Sequence, residues 1–175
     1  MYPPLWSRTT ELARLRSLMQ VLEQLKSMSP ERFLTIYSGL ELNGFGPLDN
    51  EVAKSLKFRP IAVKKLPIAQ RAKRARMLIE TSANAELAYE VFGAYLIRHH
   101  KGIVTGFLDK TGVAHEDGMI QDLDNGLPEK AKIAAAVTEL DKSFAPEDVT
   151  LYLALCAQQW NQLPELDALW RKRSQ

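Results

Sequence analysis

Apolar residues recur at helical spacing along most of the chain. Leu12, Leu15, Leu18, Met19, Leu22 and Leu25 make one face of a helix that opens near Thr9 or Thr10, with Glu11 in its first turn. Ser29-Pro30-Glu31 predicts a restart. Serine caps the new helix, proline takes the first turn without losing a useful N–H, and glutamate meets the positive end of the dipole. Phe33, Ile36, Tyr37 and Leu40 are its expected buried stripe, and Asn43-Gly-Phe-Gly-Pro47 is its stop. A short helix from about Asp49 to Lys57 follows, with Val52 and Leu56 inward. Between Pro60 and Pro67 the chain reads as extended connection or a single turn, because residues before proline are pushed out of the α region.

Pro67 begins a long helix through Glu80 on which Ile68, Ala72, Ala75 and Ile79 align. A break at Thr81 to Asn84 precedes another, carrying Leu87, Val91, Ala94 and Tyr95 and running on, bent, through Gly102 and Gly106 to Gly112. The two glycines fall four apart on one face and are read as a place where backbones pack closely. Residues 111–127, rich in Gly, Asp and Asn, form the one long irregular stretch. Pro128-Glu129, Pro146-Glu147 and Pro164-Glu165 then recur at intervals of 18, each a helix-start signal, with Ile133, Leu151 and Leu169 at the same offset. No strand pair is evident; Ile103 to Phe107 is β-branched in part but is surrounded by glycine. The expected fold is all-α: one domain over residues 1–175, a bundle of about seven to nine helices with mostly antiparallel neighbours and an N-terminal arm over residues 1–8.

Composition changes this picture little. Apolar residues make 46% and charged residues 25% of the chain, which is ordinary for a packed globular protein. Met1-Tyr-Pro-Pro-Leu-Trp lacks the features of a signal peptide and no stretch reaches the length of a membrane span, so the cytoplasm is the expected compartment. Cys156 is the sole cysteine and lies in Leu-Tyr-Leu-Ala-Leu-Cys-Ala, so it is expected to be a buried, inert thiol. Trp160 and Trp170, with Trp6, are expected to seal the core where chain ends meet.

Charge changes it more. Residues 51–101 hold eleven basic and four acidic side chains, a net +7, whereas residues 102–170 hold four and twelve, a net −8. Lys54, Lys57, Arg59, Lys64, Lys65, Arg71, Lys73, Arg74 and Arg76 fall within 23 residues with no acid between them. Lys64, Lys65, Arg71, Lys73, Arg74 and Arg76 are the candidate anion-binding set, either solvated, docked on the chain's own acidic half, facing an anionic protein or membrane surface, or facing the phosphates of a nucleic acid. Phe58 is the one aromatic nearby, which makes a poor base-stacking platform.

Catalytic signatures are incomplete. His99 and His100 point about 100° apart on a helix. His115-Glu116-Asp117-Gly118 opens like a zincin motif but has Met119 where the second histidine belongs. His99, His115, Glu116 and Asp117 remain the weak catalytic candidates. Asp122-Leu-Asp124-Asn-Gly126 resembles the start of a calcium loop, yet Leu127 and Ile133 occupy its glycine and bidentate-acid positions. Glu86 and Glu90 read as a solvated face, and no metal or cofactor is expected. The leading expectation is a non-enzymatic helical interaction module that binds another protein or itself. Nucleic-acid binding through Lys54–Arg76 is the alternative, and an enzyme with a site near His99 and His115 the third.

Overall fold

Serine, asparagine and proline set the helix boundaries. The computed structural model describes residues 19–41, 46–122 and 126–174. Among them are ten helices: α1 (Gln20–Ser27), α2 (Pro30–Glu41), α3 (Gly46–Leu56), α4 (Pro60–Lys64), α5 (Ile68–Ser82), α6 (Ala85–His99), α7 (Lys101–Thr111), α8 (Lys130–Ser143), α9 (Pro146–Gln159) and α10 (Pro164–Arg173). The fold is an all-α helical bundle. The Ser29 hydroxyl accepts from the Arg32 N–H at 3.1 Å and starts α2. The Asn84 side chain accepts from the Leu87 N–H at 3.0 Å and starts α6. Between α5 and α6, Ala83 adopts the left-handed conformation (φ 49°) that lets the chain turn at once. Pro146 and Pro164 open α9 and α10 at their first turns, while Pro128 lies just outside α8, whose cap is Glu129.

One helix exceeds the reading from sequence. The stretch between Pro60 and Pro67 takes the single-turn alternative as the five-residue α4, and the helix expected to run on from Tyr95 is cut at His100 (φ −135°, ψ 38°) into α6 and α7. Ile103 to Phe107 is helical. The expected absence of strands is also corrected. Within residues 111–127, His115–Glu116 (β1) and Met119–Ile120 (β2) pair antiparallel. Asp117 (φ 54°) and Gly118 (φ 90°) supply the two left-handed residues a tight hairpin turn needs.

The core is organised around α9. Every residue from Asp148 to Gln158 is buried, as expected of a helix apolar on nearly all sides. It packs on α10, α1 and α6, and to a smaller extent on α7 and α8. α7 lies close along α8. A Cβ at Gly102 would come within 2.9 Å of Phe144 and one at Gly106 within 3.4 Å of Leu140, so both glycines serve that approach. Trp160 and Trp170 seal this core, the first donating to the Gly126 carbonyl at 3.0 Å and the second to Gln24 at 2.8 Å. On the other side, α2 and α6 pack together, α5 packs on α2 and α3, and α4 touches mainly α3.

The buried faces differ from the expected stripes at a few positions. On α1, Val21 is buried and Met19, ahead of the helix, is exposed. On α5, Arg71 replaces Ile68 in the inward stripe with Ala72, Ala75 and Ile79. On α3, Leu48, Val52 and Ala53 are buried and Leu56 only half so. Leu12, Leu15, Leu18, Trp6, Asn43 and Asp124 lie outside the described residues. No helix among the described residues is long and apolar enough to cross a membrane.

Candidate anion-binding surface

The basic run occupies the end of α3, all of α4 and the first half of α5. α4 is five residues between two prolines, and Val63 is its only fully buried side chain. From Lys57 to Ile61 the chain is exposed throughout. Lys57 itself is left-handed (φ 54°) where it ends α3, with the Phe58 N–H donating to the Ala53 carbonyl at 2.9 Å. That turn lifts Phe58 and Ile61 into solvent, 50% and 66% exposed, and Ile68 stands at 36%.

The six candidate cations divide into two groups. Arg71 is buried and donates Nε to the Leu66 carbonyl at 2.9 Å, which holds the turn between α4 and α5. Its neighbourhood also contains the buried Tyr37 hydroxyl, which donates to Asp49 at 2.7 Å. Arg76 pairs with Glu80 at 2.8 Å and donates Nη2 to the Leu25 carbonyl at 3.0 Å, so it caps the C-terminal end of α1. These two side chains are committed to the fold. Lys64, Lys65, Lys73 and Arg74 are exposed, as are Lys57 and Arg59. Among the described residues none of these six forms an ion pair, while Lys54 pairs with Glu51 at 2.6 Å. Beside them, α2 and α5 border a groove of about 470 Å³ lined by apolar Phe33, Leu34, Ala72 and Met77 and by charges of both signs, Lys73 and Arg76 with Glu31 and Glu80.

The acidic half behaves differently. Most of its described carboxylates have a cation, several within their own helix: Glu129 with Lys132 at 2.7 Å, Glu139 with Lys142 at 3.4 Å and Asp167 with Arg171 at 2.8 Å, and across helices Glu165 with Lys130 at 3.5 Å and Asp141 with Arg173. Neither α5 nor α4 has α8, α9 or α10 among its principal packing partners. No ion pair between described residues joins a cation of residues 54–76 to a carboxylate of residues 102–170.

The catalytic candidates are not brought together. The His99 ring nitrogen lies 3.1 Å from the Gly39 carbonyl, a contact that requires an N–H there, at the C-terminal end of α2. His115 accepts from the Gly118 N–H at Nδ1 (3.1 Å) and faces Asp109 with Nε2 (3.1 Å), so neither ring nitrogen is left over. Asp117 pairs with Lys101 at 2.7 Å; that hydrogen bond holds its carboxyl below the usual range. Glu116 is exposed. No cluster of three potential metal ligands occurs among the described residues.

A cluster the sequence did not single out joins α2, α6 and α9. Arg32 pairs with the buried Asp148 and with Glu147 (3.4 Å), and its guanidinium lies 5.6 Å from the centre of the Tyr95 ring. His100 reaches the Tyr95 hydroxyl at 3.2 Å and lies 3.7 Å from Asp148. Burial lowers the Arg32 pKa, but Asp148 and its neighbours hold it above its ordinary value. These groups satisfy one another and tie three helices together. Only the pairing of residues 116 positions apart brings them together, which no local spacing signals. In comparisons with known proteins, no family model, no curated protein and no solved structure matches the chain.

Proposed function

We propose that this protein is a non-enzymatic helical interaction module that binds an acidic partner protein through the α4–α5 face. One observation carries the reading: exposed Lys57, Arg59, Lys64, Lys65, Lys73 and Arg74 have no ion-pair partner among the described residues, and Phe58, Ile61 and Ile68 are exposed among them. Most described carboxylates of the acidic half already have a cation beside them, which disfavours self-association through complementary lobes. Exposed aliphatic side chains and the apolar lining residues of the neighbouring groove suit a protein surface, where apolar contact adds affinity and charge adds rate and orientation.

Nucleic acid is the second reading, favoured by the uninterrupted cationic run itself. Fluorescence anisotropy separates the two across a salt series, using a Glu-rich amphipathic helical peptide, a single-stranded oligonucleotide and a duplex. The K64E/K65E/K73E/R74E variant is the control. The acidic peptide is expected to bind more tightly than either nucleic acid at physiological salt, with affinity lost in the variant. Tighter oligonucleotide binding with a steep salt slope, equally lost in the variant, transfers the function to nucleic acid. Binding that ignores the reversal removes this face from both readings.

A further inference from the structure

α6, α7 and α9 meet around a second cavity, of about 190 Å³, roofed by the hairpin. Its wall is apolar: Leu96, Val104, Leu108, Ile120 and Leu155 line it. The one glycine inside α6 faces it. A Cβ at Gly93 would meet no protein atom within 4 Å, whereas Cβ atoms at Gly39, Gly102 and Gly106 would each meet a packed neighbour. Glycine inside a helix costs about 1 kcal/mol relative to alanine, and here no close helix contact accounts for it. What Gly93 does is enlarge the cavity.

The remaining features fit a bound molecule. Tyr89 donates to Gln159 at 2.7 Å on the lining and gives it one polar edge. The buried residues Tyr152 and Cys156 also line it. The roof is held from outside. Gly118 sits against Ile97 and Val104 so closely that a Cβ would fall 2.9 Å from the Ile97 side chain, and the turn is latched by Asp117 to Lys101 and His115 to Asp109. The roof rests on a hairpin of two residues per strand, an element that is marginal on its own and depends on these contacts.

We propose that this cavity is a binding site for a small, neutral, mostly apolar ring compound of benzene to indole size, its single polar group turned to the Tyr89–Gln159 edge. An enclosed apolar cavity of about 150 Å³ takes up benzene, so this cleft, which is partly open to solvent, is large enough. The site does not depend on the α4–α5 face, and the two proposals fail separately.

Indole and benzene are the probes, titrated into the full chain while methyl and backbone NMR shifts are followed. Saturable binding with a Kd of about 1 mM or tighter is expected, with shifts centred on Leu96, Val104, Leu108 and Leu155. Gly93→Leu, which fills the cavity, is expected to weaken indole binding at least tenfold while keeping the helical circular-dichroism spectrum. Gly93→Ala should weaken it less. Unchanged affinity in Gly93→Leu, shifts centred elsewhere, or no saturation overturns the proposal. The wild-type shift map decides the matter alone if Gly93→Leu does not fold.

Discussion

Cys156 stands in the last turn of α9, 1% exposed, with Tyr152 one turn before it. Burial penalises the thiolate and pushes the thiol pKa far up; the hydrogen bond with Tyr152 offsets only part of this. The consequence for stability has a definite sign. In the unfolded chain a cysteine loses its proton near pH ~8.5, while the folded thiol keeps its proton well above that. Above this pH the folded state therefore holds more protons than the unfolded state, and stability falls as pH rises. A single such group contributes a slope approaching about 1.4 kcal/mol per pH unit. Cys156→Ala is expected to flatten the stability curve between about pH 8.5 and 10, where buried tyrosines do not yet add their own effect. Urea denaturation at several pH values measures it, comparing slopes because the smaller side chain also leaves a cavity. Parallel curves for the two proteins would show that the thiol is ionised on equal terms in both states. This burial was legible in advance, since an apolar flank on both sides of a lone cysteine leaves no base to activate it.

At the scale of elements, the pairing of α7 with α8 is the most exacting contact. Gly102 lies under the Phe144 ring, and Gly106 under Leu140. Gly102→Leu places a side chain where the ring already is, and overpacking of this kind costs about 1–3 kcal/mol. For a chain of this size that lowers Tm by roughly 2–4 °C per kcal/mol, which scanning calorimetry resolves. Phe144→Ala in the same chain is expected to restore part of the loss, and the coupling identifies the contact as the cause. An unchanged Tm in the single variant would mean the ring swings aside at no cost. The four-residue glycine spacing signalled this packing, and the proline–acid pairs signalled the starts of α8, α9 and α10. The hairpin went unread because its strands are two residues each, too short for alternation to register; the Asp117-Gly118 dipeptide was its only local sign. The cut at His100 had no sign either, because nothing in His99-His100-Lys101 resembles a cap.

For the molecule as a whole, the charge asymmetry counted along the sequence becomes an asymmetry of pairing. Carboxylates after residue 101 meet cations from their own helices, from the C-terminal turn and from Lys101 and Arg32, whereas most cations of α4 and α5 meet none among the described residues. A sequence supplies the signs of charges but not which of them a backbone carbonyl has already taken. Arg71 and Arg74 show the difference, three positions apart on one helix, the first folded over Leu66 and the second in solvent. Their substitutions should therefore part ways. Arg71→Ala removes the donor from the turn between α4 and α5 and empties a buried position, at a cost of about 1–3 kcal/mol. K64E/K65E/K73E/R74E touches only exposed side chains, each worth within about 0.5 kcal/mol, and it also relieves repulsion among like charges. Equilibrium denaturation should find the single arginine variant clearly less stable than the quadruple one. Salt sharpens the contrast. Wild-type stability should rise modestly with ionic strength as repulsion on the α4–α5 face is screened, and the quadruple variant should lose that rise. Were the quadruple variant the less stable of the two, the exposed cations would be holding the fold together, and the face would be structural instead of a surface kept for a partner.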